Sequence, residues 1–229
     1  MKRQDLYFAI VMLAIFVPFF LSPELYAWYK EFNAAHAMIM AFLKFGILAT
    51  LGEMLGCRIS TGNYTTPTFG VLPRMVVWGL LGMAISMAMT VFANGIPAFI
   101  SSMGGEEMVA AFKAEGFAWG KLVVAFSISV MMNTFFAPVF MTFHKITDTH
   151  IAENGGSLKA LFRPIDMRRH IMELNWDRQW SFIFKKTIPL FWYPAHTITF
   201  MLPGELRVLF AALLGVALGV ILAIGARKK

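Results

Sequence analysis

Three polar side chains stand inside long apolar stretches of this chain: Lys44, Asn133 and His196. Each falls near the middle of its stretch, at a depth where a polar group meets no water unless the protein supplies it. A lysine at that depth must give up its proton, face water or meet an anion. Lys44 is too deep to reach the headgroups along its own stem. The nearest acid in sequence is Glu53, nine residues on. That places it ~13 Å further along a helix and on the opposite face, a poor position for pairing. A water-filled path with Lys44, Asn133 and His196 on its wall accounts for all three, and such a wall favours anions. His196 would add pH dependence, since an unperturbed imidazole titrates near about 6.5. The plainer alternatives are that Asn133 bonds a neighbouring helix and that His196 is a satisfied core histidine.

Other ionisable residues lie near the ends of the apolar stretches. Glu53 stands close to Arg58 and Arg74, which suggests a structural ion pair. His144, Asp148 and His150 have a spacing that could hold a metal, but no third histidine or glutamate is forced near them, so the metal signal is weak. There is no Gly-rich phosphate loop, no nucleophile elbow and no paired-cysteine motif. The single cysteine, Cys57, allows no internal disulfide. These residues point to no enzyme, no catalytic group and no cofactor.

The elements that must position these groups are membrane helices. The 229 residues are 58% hydrophobic and only 14% charged, where soluble domains carry about 25%. Mean hydropathy is +0.65. The apolar residues fall into blocks near the ~20 residues that a span needs. Six spans are expected, at about 6-21, 34-57, 71-94, 119-143, 182-202 and 206-226, in one membrane domain covering 1-229. The fold class is therefore all-α, a polytopic transmembrane helical bundle. Met1-Lys2-Arg3 followed by an apolar run resembles a signal peptide. Leu25-Tyr26-Ala27 lacks the small residue that cleavage requires, so the segment is expected to stay as the first helix.

Charge sets the expected orientation. Lys2 and Arg3 precede the first span, the loop from His144 to Lys186 holds eight Lys or Arg, and the chain ends Arg227-Lys228-Lys229. The loop from Pro97 to Ala118 is acidic instead. Both termini are then cytoplasmic, with a bacterial inner membrane as the expected location. The net charge of +7 is accounted for by these loops, and nucleic-acid binding is not expected. Within the long loop, Ile165, Met172, Trp176, Trp180 and Ile183 share a helical stripe. An amphipathic cytoplasmic helix over about 157-181 is expected there, meeting lipid with anionic headgroups at the inner surface.

Small residues mark close helix approaches. Gly52 and Gly56 lie four apart in the second span, and Ala211, Gly215 and Gly219 follow a face of the sixth. Packing inside one chain explains them, with a homo-oligomer through the sixth helix as the alternative.

The second half carries a resemblance. Met132-Asn133-Thr134-Phe135-Phe136-Ala137-Pro138, then Trp192-Tyr193-Pro194-Ala195-His196 with Phe200, Pro203 and Arg207, resembles the signature of the Mpv-seventeen/peroxisomal-membrane-protein-22-kilodalton family. Gly46 and Gly52-Glu53 resemble its first helix, and Arg74, Gly79 and Gly82 its next. The resemblance covers roughly Ala35 onward. It departs from the family where Met132-Asn133 replaces Asp-Gln and where Tyr193 separates Trp192 from Pro194. It implies a small membrane protein of channel or small-metabolite-transporter type, with no catalytic residues. The expected function is a channel or transporter for small, anionic solutes. The alternative is a non-transporting structural or accessory membrane subunit.

Overall fold

The structure is a computed structural model that describes residues 2–227, with side chains described as far as residue 221. Lys228 and Lys229 of the basic tail lie outside the described residues. The chain divides into two compact units, Met1–Met40 and Ala41–Lys229.

In the first unit, α1 (Arg3–Leu21) ends at Ser22, and Ser22 starts α2 (Pro23–Ala35). Its hydroxyl accepts from the Leu25 amide at 3.1 Å, and Pro23 at the first helical position needs no amide partner. The two helices pack through Phe19 and Tyr29, whose rings meet edge-on at 5.3 Å.

The second unit takes in α3 (Ala37–Thr61) from residue 41 onward, followed by α4 (Val71–Ser102), α5 (Glu106–Lys113), α6 (Trp119–Phe135) and α7 (Ala137–Glu153). It continues through a 3-10 turn, Leu158–Phe162, to α8 (Met167–Glu173) and α9 (Trp176–Arg178). A wide-turn π segment, Gln179–Trp192, runs into α10 (Tyr193–Met201), and α11 (Gly204–Arg227) closes the chain. No strand occurs among the described residues. The fold is the all-α helical bundle expected from the sequence.

Four helices, α1, α3, α4 and α11, are long and apolar enough to cross a membrane. A fifth crossing forms if α6 and α7 are counted together, across a bend of 46°. Leu80, Met87 and Val91 recur along α4, each more than half exposed. They leave an apolar stripe that water would penalise and lipid would not.

Three expectations change in detail. The fourth span, expected over 119-143, breaks at Phe136 and continues to Glu153. Pro138 in the first turn of α7 has no amide to donate back across the break. The segment expected over 182-202 forms as two pieces, of 14 and 9 residues, neither long enough alone. The wide turns of the first accommodate Pro189, and the Thr187 hydroxyl donates to Phe182 O, five residues back, at 3.2 Å. The single amphipathic helix expected over 157-181 is interrupted instead. Leu174 is extended, and the Asn175 side chain accepts from the Arg178 amide at 2.9 Å to start a new helix. Met172, Trp176 and Trp180 of its stripe are exposed all the same.

Glycines set the helix spacing. A Cβ on Gly46 would stand 2.8 Å from Met75 O, and one on Gly82 would strike the Phe45 ring, so α3 lies directly against α4. A Cβ on Gly52 would stand 2.9 Å from Val216 Cα, and Gly56 faces Gly219 O at 3.5 Å. These residues join α3 to α11 within one chain. Ala211 is buried as well, while nothing approaches a Cβ placed on Gly215 within 4 Å. Gly70 and Gly156, both at positive φ, cross backbone on backbone and tie the α3–α4 connection to the end of α7.

Candidate functional site

The polar residues singled out in sequence separate into distinct places. Asn133, 1% exposed, and His196, 6% exposed, touch each other. His196 Nδ1 lies 2.9 Å from Nδ2 and 3.1 Å from Oδ1 of Asn133, so either the amide donates to the ring or the ring N–H donates to the amide oxygen. Asn133 Nδ2 also donates to Ser129 O at 2.8 Å, and the Ser129 hydroxyl donates to Tyr193 O at 2.8 Å. The Trp192 ring covers His196 at 4.9 Å. Thr134 and Tyr193 join hydroxyl to hydroxyl at 2.7 Å. Together these bonds clasp α6 to α10. Lys44 is 7% exposed within α3.

Glu53 and Arg74 form the ion pair expected of them, inside a larger network. Arg74 Nη1 donates to Glu53 Oε2 at 2.6 Å and also to Asp148 Oδ1. His144 Nε2 donates to Glu53 Oε1 at 3.0 Å and lies 3.6 Å from Asp148 Oδ1. Arg74 Nε donates to Phe69 O at 2.6 Å, and the Trp78 ring packs on His144 at 4.3 Å. Three helices contribute: α3 near its end, α4 at its start and α7 in its second half. Arg58, named with this pair from the sequence, donates to Gly62 O at 3.1 Å and lies over the Tyr64 ring.

The third group beside His144 and Asp148 is therefore Glu53 and not His150. His150 Nε2 donates to Ala160 O at 3.1 Å and its ring meets His170. Ligand atoms of Glu53, His144 and Asp148 fall within 4.8 Å of one another. Yet the Arg74 guanidinium already supplies the positive charge to both carboxylates, so the donor set fits an arginine-centred ion network better than a metal centre.

A cavity of about 510 Å³ opens at the other end of α4, between α4, α5 and the start of α11. Ser86, Thr90, Asn94, Ser101, Lys113 and Arg207 supply its polar wall. In the sequence Arg207 enters only through a resemblance. The structure shows what holds it: Nε donates to Leu202 O at 3.0 Å and Nη2 to Phe200 O at 3.1 Å, both at the C-terminal end of α10. Phe112 and Phe200 lie against its guanidinium at 5.6 and 5.7 Å. Phe200 is fully buried, and Pro203 sits in the turn between α10 and α11. Lys44, Asn133 and His196 do not line this cavity. Nothing in the sequence marks Lys113 beyond its being a cation in an acidic loop.

No family model, no curated protein and no solved structure matches the chain.

Proposed function

We propose that this membrane-embedded helical protein passes small anionic solutes across the membrane, as a channel or transporter. One observation carries the reading: a cavity of about 510 Å³ between α4, α5 and the start of α11, with hydroxyls and an amide set in a largely apolar wall and two cationic side chains, Lys113 and Arg207. Arg207 is fixed by backbone carbonyls, so its charge is positioned before any solute arrives. A fixed cation favours an anion over a cation or a neutral solute. Lys44 adds a further buried cation in a neighbouring span. The inner end of the path would be closed by the Glu53–Arg74–His144–Asp148 network, in an orientation with both termini in the cytoplasm of a bacterial-type cell.

Flux of chloride and acetate through proteoliposomes tests this. Lys113→Gln, an exposed change, should cut anion flux severalfold while leaving thermal stability unchanged, and Lys44→Met, away from the cavity wall, should change it less. If the folded wild-type protein passes neither anion, the transport reading fails and the accessory-subunit alternative takes its place.

A further inference from the structure

A second concavity, of about 440 Å³, lies on the outer side of α4 and α7 beneath the 3-10 turn. Its walls are apolar for most of their length: Leu80 and Ala84 from α4, Val139, Phe140 and Phe143 from α7. From Val139 to His150 the groove follows α7 for ~17 Å. Half of a ~30 Å hydrocarbon core is about the same depth. At the end where α7 meets the 3-10 turn, the character changes. Exposed Arg163 stands there with buried Thr147 and His150 beside Ile151, Leu161 and Ile165, and among the described residues no carboxylate lines the groove. Asn154 Oδ1 accepts from Arg163 Nη1 at 2.9 Å, which holds the guanidinium at the rim, and exposed Lys159 lies in the same turn.

We propose that this groove binds one anionic glycerophospholipid, with an acyl chain along α4 and α7 and the phosphodiester at Arg163. The chemistry follows from the order of the wall. An apolar channel matching one leaflet, capped by a held arginine and lined by no acid among the described residues, complements a molecule with a hydrocarbon tail and a negative head. A soluble anion would gain nothing from the length of apolar wall, and a zwitterionic lipid, whose ammonium offsets its phosphodiester, would gain less from Arg163 and Lys159 than a lipid with net negative charge. The inference stands apart from the transport reading, since none of these residues lines the larger cavity.

The test uses the full chain in detergent, titrated with phosphatidylglycerol or with phosphatidylcholine of identical acyl chains, and read by native mass spectrometry. Wild type should retain phosphatidylglycerol about fivefold more tightly, and Arg163→Gln should erase that preference. Ala84→Phe, which fills the apolar wall, should weaken retention of both lipids, and Arg163→Lys should keep most of the preference. Equal retention of the two lipids by wild type overturns the proposal without reference to any variant. So does a preference that survives Arg163→Gln in a folded protein. Displacement of the lipid by glycerol phosphate alone would assign the mouth to a soluble anion and overturn it as well.

Discussion

At the scale of single residues, the Glu53–Arg74–His144–Asp148 network makes the sharpest demands. Arg74 donates to both carboxylates, and it does so at 11% side-chain exposure. Removing it leaves two acids close together in a half-buried place with His144 between them. Arg74→Met should therefore cost about 3 kcal/mol or more of stability, the cost of stranding buried charge. Glu53→Gln keeps Arg74 on Asp148 and should cost less, about 1–2 kcal/mol. Thermal unfolding in detergent orders the two variants; a smaller loss for Arg74→Met would show that the guanidinium is not the centre of the network. The Asn133–His196 pair permits a second comparison. Asn133→Leu leaves His196 Nδ1 buried without its partner and should cost about 1 kcal/mol, as interhelical polar contacts in membranes do. Of this residue-level picture, the pairing of Glu53 with Arg74 is legible in the sequence, because both lie at helix ends facing the same side. The bond between Asn133 and His196 is not. Sixty-three residues separate them, and it takes the packing of α6 on α10 to bring them together.

At the scale of elements, helix spacing is set by glycines that have no room to grow. Gly46→Ala would place a methyl 2.8 Å from the Met75 carbonyl, which cannot swing aside as a side chain can. Separating α3 from α4 should cost about 1–3 kcal/mol. Gly95 lies in α4 with nothing within 4 Å of where a methyl group would stand. Gly95→Ala should then be neutral or stabilising by up to about 1 kcal/mol, from helix propensity alone. Melting temperatures of the two variants should separate, with Gly46→Ala below wild type and Gly95→Ala at or above it. The apolar blocks reveal the long helices because lipid requires uninterrupted apolar runs. Shorter features leave weaker traces. The break at Phe136 is foreshadowed only by Pro138, and α2 carries too many polar residues to look like a span. The wide turns of Gln179–Trp192 depend on where the backbone bonds close, which no side-chain pattern encodes.

At the scale of the whole molecule, the two polar features sit at opposite ends of α4. Arg74 begins the helix and Ser101 lies at its far end, 27 residues away, so they stand ~40 Å apart along the axis. The cavity reaches back along α4 to Ser86, so it would enter a hydrocarbon core of ~30 Å from the end opposite Arg74. The ion network and the larger cavity should thus open toward opposite sides of the membrane, with the network on the cytoplasmic side in the proposed orientation. The chain has one cysteine, Cys57, so a Cys57→Ser background allows single reporters. Ser102→Cys, at the exposed end of α4, should react with an impermeant maleimide added to right-side-out cells. Lys159→Cys, on the exposed 3-10 turn beyond α7, should react only after the membrane is opened. Labelling of both from the same side would break the link between α4 and a full crossing. It would also remove the geometric basis for a path with a cationic mouth at one face and an ion-paired closure at the other.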